Sequence, residues 1–300
     1  MSPSHRPLHR LYARYRGRLT RRIEGVPGPV HCDDPMLPWS RHRLAEGLWQ
    51  RCVAALPRGE GDPRDSEASS DPVVASYLEA GASAIEVLDR GLAHAGRRFD
   101  DVASCLDLGC GYGRVVRWLV QQIEPGRITA CDLHPVAVAF CAHAFDVRPL
   151  VAAIDPASTA FERYDLVWAG SVLTHLDATA GLALARRIVD SLVSGGVFVL
   201  SLHGAYSLDM LHEFYDREYA DEAEEIRGEV AEHGVSYRCY ERSGYYHGAD
   251  YGMTWHDAEW LSARLGALDE VEILAHEARG WHGHHDVLVV RRRPGDGSDV

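Results

Sequence analysis

The stretch "LDLGCGYGRVVRWL", residues 106–119, constrains the fold more than any other part of the 300-residue chain. Gly109, Gly111 and Gly113 alternate with other residues between an apolar run of strand character and an apolar run of helical spacing. Glycine permits the positive φ of a tight turn, and its missing side chain lets another group come against the main chain. Strand, glycine turn and helix in that order open a βαβ unit, and the spacing predicts a helix over 114–123 whose N-terminal amides face the same space.

The rhythm continues downstream. Strands are predicted at 102–109, 127–133, 150–154, 164–170 and 197–203, with helices at 135–145 and 178–193 between them. Such alternation implies an α/β fold: a doubly wound, mostly parallel sheet with helices on both faces. Two further strands, 271–277 and 285–293, separated by about eight residues, add an antiparallel C-terminal hairpin and bring the sheet to seven strands. A helical stretch over 72–96, interrupted at Gly81, precedes the alternation. Between 205 and 252 the pattern breaks into an acidic helical segment and an aromatic one, "SYRCYERSGYYHGADYG", which together read as a helical and aromatic lid insertion. A helix is predicted over 254–268 with Thr254 at its N-cap and Asp257 three residues on, a variant capping box. The expected organisation is an N-terminal basic arm and extension over 1–71, one catalytic-type domain over 72–293 and a short tail over 294–300.

Charge narrows the partners. The net charge is −13, and residues 1–24 carry +6, so the remainder carries −19. A body so acidic disfavours nucleic acid, whose phosphates need a positive surface. All 31 basic residues are arginine, which excludes a Schiff-base lysine and a P-loop lysine. No apolar run reaches the length of a membrane span, and no apolar run follows the Arg-rich start as a secretory signal requires; the cytoplasm is the expected location. The seven cysteines are scattered without a C-x-x-C pair, as expected of reduced, buried thiols. A homodimer is compatible with the sequence, which carries no feature that decides it.

Three adenine-containing ligands suit a glycine loop after a first strand. A P-loop needs a lysine. A dinucleotide loop needs G-x-G-x-x-G, whereas the register here is G-x-G-x-G with Arg114 at the third-glycine position. S-adenosylmethionine (SAM), which has no phosphate, remains. Its loop begins with an acid, met by Asp107, and a second carboxylate, Asp132 at the end of the second strand, can accept both ribose hydroxyls.

With "LDLGCGYGR", "CDLHP", "YDLVWAGSVLTHLD", "SGGVFVLSLHG" and the closing "GWHGHHDVLVVRRR" in order, the chain resembles the class I SAM-dependent methyltransferases over roughly 72–293. The resemblance implies a SAM cofactor and a methyl acceptor. It assigns Asp107, Leu108, Gly109, Cys110, Gly111 and Gly113 to the methionine end, and Asp132 to the ribose with Leu133 beside the adenine. It also implies that Ile154 and Asp155 flank the adenine, that Ala169, Gly170 and Ser171 form the wall near the sulfonium, and that Tyr77 closes over the methionine part.

Ligands of an open α/β sheet sit at the carboxyl ends of its strands, which directs the acceptor to Ser171, Thr174, His175, His203 and Tyr206. Tyr245, Tyr246 and His247 of the aromatic segment are the expected lid contacts. Displacement at a sulfonium carbon asks mainly for orientation and for removal of the acceptor's proton, which a histidine performs near neutral pH; His203 and His175 are the candidate bases. "WHGHHD" (281–286) lacks a helical partner pair and reads as a hairpin turn with solvated imidazoles, so no metal is expected. The expected function is methyl transfer from SAM to a small molecule, a secondary metabolite or glycan. The alternatives are a SAM-binding regulatory or partner protein without transferase activity, and an oxidoreductase, which Arg114 and the absence of a Tyr-x-x-x-Lys pair oppose.

Overall fold

The structure is a computed structural model that describes residues 19–22, 29–31, 72–153, 155, 158–211, 219, 221–239 and 251–295. In chain order its elements are β1 (Leu19–Arg22), β2 (Pro29–His31), α1 (Pro72–His94), β3 (Cys105–Leu108), α2 (Val116–Leu119), β4 (Ile128–Asp132), α3 (Pro135–Phe145), β5 (Arg148–Val151) and β6 (Tyr164–Ala169). They continue with α4 (Ala178–Ser191), β7 (Leu192–Leu202), α5 (Ala205–Asp209), α6 (Ala223–His233), β8 (Val235–Cys239), β9 (Gly252–His256), α7 (Ala258–Gly266), β10 (Val271–Trp281) and β11 (His285–Arg292). Seven strands hydrogen-bond in the order β10-β11-β7-β6-β3-β4-β5. The pairs β3–β6, β6–β7 and β4–β5 are parallel, and β7–β11 and β10–β11 antiparallel. This is the mostly parallel α/β sheet with an antiparallel C-terminal hairpin expected from the sequence. Among the described residues no helix is long and apolar enough to cross a membrane.

Two compact units make up the chain: Met1–Ala82 with Cys110–Val151, and Ser83–Gly109 with Ala152–Val300. In the first, β4 is buried from Ile128 to Cys131 and α3 is buried along Ala137–Cys141; a strand flanked by apolar neighbours on both faces carries no polar alternation. Helix α1 runs through Gly81 without a break. A Cβ at Gly81 would lie 2.2 Å from the carbonyl oxygen of Arg114 and 2.7 Å from Trp118, so glycine stands there because another backbone crosses the helix closely. Helix α2 is shorter than expected: only Val116–Leu119 is α-helical, and Trp118 and Gln121 bond three residues back as in a 310 turn. Four helical residues provide little aligned dipole.

In the second unit β6, β7 and β11 are apolar and buried through most of their length. The start of β6 is tied to the residue before β3. Asp165 accepts from Arg97 (2.7 Å) and, through its other oxygen, from the amide and hydroxyl of Ser104 (3.1 and 2.9 Å). Two sequence expectations shift here. Strand β7 begins at Leu192 and takes in the "SGG" predicted to end the preceding helix, with Gly195 at φ +74° and a register irregularity against β6. Residues 252–256 are strand β9, paired with β8, so Thr254 is no N-cap. Its hydroxyl donates to the carbonyl of Leu176, and Asp257 caps α7 by accepting from Glu259 and Trp260. The β-branched and aromatic residues of "MTWH" favour the strand, and the cap falls on the first acid after it.

Candidate functional site

In the first unit the site begins at the glycine loop. Gly109, which precedes it, and Gly111 and Gly113 all have positive φ (+77°, +48° and +76°), so the alternate spacing is a backbone requirement. The loop is also closed by the protein's own packing. A Cβ on Gly113 would lie 2.5 Å from the Phe145 ring and 3.3 Å from the Cys141 sulfur. The thiols of Cys110 and Cys141 both donate to the carbonyl of Gly111. The buried Arg117 guanidinium donates to the carbonyl of Gly113 (2.9 Å) and lies over Phe145; its part in holding the loop was not evident from the sequence.

Asp132 ends β4 and is the fixed point of this loop. Its Oδ2 accepts the amide of Gly111 (2.9 Å) and its Oδ1 the amide of His134 (2.8 Å), while Cys110 donates its amide to the carbonyl of Cys131 (3.0 Å). Burial pushes the carboxyl up from the ordinary aspartate range, and the amides of His134, Gly111 and Leu133 oppose that shift. A carboxylate oxygen has two lone pairs. Backbone amides hold both oxygens, and a carboxylate still takes hydroxyl donors where it would repel a phosphate.

In the second unit Asp107 and Leu108 are buried at the end of β3. Gly109 is exposed, and a Cβ there would meet the Val172 side chain at 2.6 Å. Ala169 is fully buried within β6, and a Cβ on Gly170 would strike the ring of Trp168. Ser171 follows with φ +57°, a left-handed conformation that costs a non-glycine residue and needs its surroundings to hold it. Its amide donates to the Ser201 hydroxyl (2.8 Å), and its own hydroxyl pairs with that of Thr174 (3.0 Å). Asp155 is exposed and accepts from the Ser158 hydroxyl in a local turn.

The two candidate bases differ in their surroundings. His203 is buried, its Nδ1 3.1 Å from the carbonyl of Thr254. A carbonyl only accepts, so Nδ1 carries the proton and Nε2 the lone pair. Burial, then the neighbouring imidazoles of His285, His175 and His284, hold His203 well below the usual histidine range. His175 is half-buried, stacks on Tyr251 (5.0 Å, 21°) and donates Nδ1–H to the carbonyl of Gly252 (2.9 Å); burial lowers its pKa as well. The "WHGHHD" turn divides: His282 is exposed, His284 half-buried, and His285 is buried, its ring 4.8 Å from that of His203. The reading of solvated imidazoles therefore fails for His285. It faces inward because Asp286 pairs with Leu202 across β11 and β7, which puts His285 opposite His203 on the same face of the sheet. Among the described residues no group of three His, Cys, Asp or Glu could hold a metal ion.

Tyr206 is half-buried, with the Arg279 guanidinium 3.9 Å from its ring centre; together with the Ser207 hydroxyl, which donates to the carbonyl of His284, it docks α5 onto the hairpin. Ile154, Tyr245, Tyr246 and His247 lie outside the described residues, as does the side chain of Tyr77 within α1.

A family model of a methyltransferase domain matches residues 106–198. A malonyl-[acyl-carrier protein] O-methyltransferase of Acetivibrio thermocellus is 28% identical over 113 residues, 37% of this chain and 39% of that protein; the chain thus spans about two fifths of the curated relative's length. Among solved structures, the SAM-bound amino pentose methyltransferase CalS10 of Micromonospora echinaspora is 18% identical, with 74% of this chain and 96% of that one covered and a TM-score of 0.49. The magnesium protoporphyrin IX methyltransferase of Synechocystis, bound to S-adenosylhomocysteine, is 17% identical, with 81% and 92% covered and a TM-score of 0.48.

Proposed function

We propose, from the match of residues 106–198 to a family model of a methyltransferase domain, that the protein transfers a methyl group from SAM to a small-molecule acceptor. The observation that carries the reading is Asp132: a carboxylate at the end of β4 that braces the glycine loop through the Gly111 amide and, as an acceptor, suits hydroxyl donors. In this reading its oxygens take the ribose hydroxyls. Gly111 and its flanking backbone bear the methionine end, and Leu133 lies toward the adenine. SAM supplies an activated methyl group; everything else falls to the chain's own side chains.

His203 is the base in this proposal. Its lone pair is on Nε2, because Nδ1–H is committed to Thr254, and its depressed pKa keeps it neutral at physiological pH. Tyr206, Tyr245, Tyr246 and His247 belong to the acceptor side. A small-molecule acceptor accords with the −19 charge of the chain beyond residue 24, which repels nucleic acid. The burial of His203 favours a second reading, a SAM-binding protein that transfers nothing. Calorimetry with S-adenosylhomocysteine tests the cofactor, and labelled methyl from SAM, followed into small metabolites of a cell extract, separates the two readings. A folded protein that binds neither SAM nor S-adenosylhomocysteine contradicts both.

A further inference from the structure

Arg279 lies near the end of β10, where the register against β11 breaks, with its backbone in the left-handed region at φ +55°. A non-glycine residue keeps that conformation only where its surroundings hold it, and such positions cluster at ligand sites. Three contacts hold Arg279. Its amide donates to Oδ1 of the buried Asp286 (2.9 Å), its Nε–H donates to the carbonyl of Gly283 (2.8 Å), and its guanidinium carbon lies 3.9 Å from the centre of the Tyr206 ring. The planar group is therefore fixed by one edge and one face. A guanidinium has five N–H donors. The four on Nη1 and Nη2 meet no partner among the described residues, and the residue is exposed.

The two acids close to Arg279 in sequence are committed elsewhere. Glu277 pairs with Arg90 (2.9 Å) and His94 (3.3 Å) of α1. Asp286 gives one oxygen to the Arg279 amide and the other to His276 Nε2 (3.0 Å). In a chain of net charge −13, this guanidinium thus pairs with no carboxylate among the described residues. Its place is also specific. Asp286 pairs with Leu202 at the end of β7, and Tyr206 belongs to α5, three residues beyond His203. Arg279 therefore stands at the carboxyl end of β7, the end at which an open α/β sheet takes its ligands.

We propose that Arg279 binds the methyl acceptor, and that the acceptor carries a carboxylate or phosphate group seated on the fork of Nη1 and Nη2. The inference rests on the methyltransferase reading above and names the substrate class. Two parallel N–H donors match two oxygens of either anion, which a single ammonium does not. The bond to Gly283 and the contact with Tyr206 already fix the plane of the guanidinium, so little ordering is left for binding to demand. Tyr206 is then the platform under the arginine, and the anion rather than the tyrosine face anchors the acceptor. Distant acids do not cancel this centre, because exposed charges are screened beyond about 10 Å at 0.1 M salt. Arg279 moves no proton; it orients the acceptor.

The site can be tested without knowing the acceptor. The full chain carrying isotope-labelled arginine is titrated with malonate, inorganic phosphate and uncharged malonamide at constant ionic strength, with and without S-adenosylhomocysteine. The Arg279 Nε–H resonance, identified by its loss in Arg279→Gln, is followed in proton–nitrogen correlation spectra. Should that variant misfold, Arg279→Lys identifies the resonance while keeping the charge. A saturating shift with malonate, phosphate or both, and none with malonamide, is the expected result. Malonate alone assigns a carboxylate acceptor, and phosphate alone a phosphorylated one. Tyr206→Leu should weaken the anion's binding at least tenfold, whereas Tyr206→Phe, which keeps the ring face, should retain it. No saturating shift with either anion, or an equal shift with malonamide, overturns the proposal. Failure of the wild type to bind S-adenosylhomocysteine counts instead against the methyltransferase reading, and the anion titration without it is read separately.

Discussion

The amide of Gly111 donates to the Asp132 carboxylate at 2.9 Å, and this one bond joins a left-handed glycine to the acid that ends the next strand. Asp132→Ala is expected to do two things at once. It removes the acceptor of the Gly111 and His134 amides, at about 1–3 kcal/mol for a donor left unsatisfied, and it removes the proposed ribose contact. S-adenosylhomocysteine affinity should fall at least roughly tenfold, equivalent to about 1.4 kcal/mol. Calorimetry on the folded variant measures it, and an unchanged dissociation constant counts against a ribose at Asp132.

Gly113→Ala is expected to destabilise the protein through a clash inside its own core. The backbone stands at φ +76°, and the new Cβ would fall 2.5 Å from Phe145. Left-handed strain and overpacking each cost about 1–3 kcal/mol. Chemical denaturation is the measurement; a variant as stable as wild type would mean that Phe145 yields freely.

His256 sets an acid limit on stability. It is buried, its Nδ1 has no hydrogen-bond partner among the described residues, and burial lowers its pKa to about 4. A histidine depressed in the folded state contributes stability above its unfolded pKa, and that stability is lost as pH falls from about 6.5 toward 4. The loss is on the order of 3 kcal/mol, with His203 and His175 acting in the same direction. Unfolding free energies across this window should show the slope, and His256→Phe should flatten it.

Gly204→Ala should disturb the strand end that carries His203. A Cβ there would lie 2.1 Å from Asp286 Oδ2, and Asp286 is held by the Arg279 amide (2.9 Å) and by His276 Nε2 (3.0 Å). The expected cost is about 1–3 kcal/mol from overpacking. A melting curve identical to wild type would show that Asp286 can move aside without loss.

The strand–helix alternation, the glycine turn and the two acids were legible in the sequence because each depends on local chemistry. Apolar runs bounded by turns make strands, positive φ selects glycine, and an acid at a strand end needs no distant partner to be recognised. Tertiary structure decided the rest. Gly81 reads as a helix breaker until the backbone of Arg114 is seen to cross it, and residues 254–256 read as a helix start until β8 supplies a strand to pair with. His285 reads as a solvated turn residue because only the register of β11 on β7 brings it against His203. Ser201 meets His285, and Thr254 meets His203, across separations along the chain that leave no mark in local sequence. Hydrophobic periodicity reports what a segment buries. Which polar groups meet inside the sheet is set by strand order and register, and these exist only once distant segments have paired.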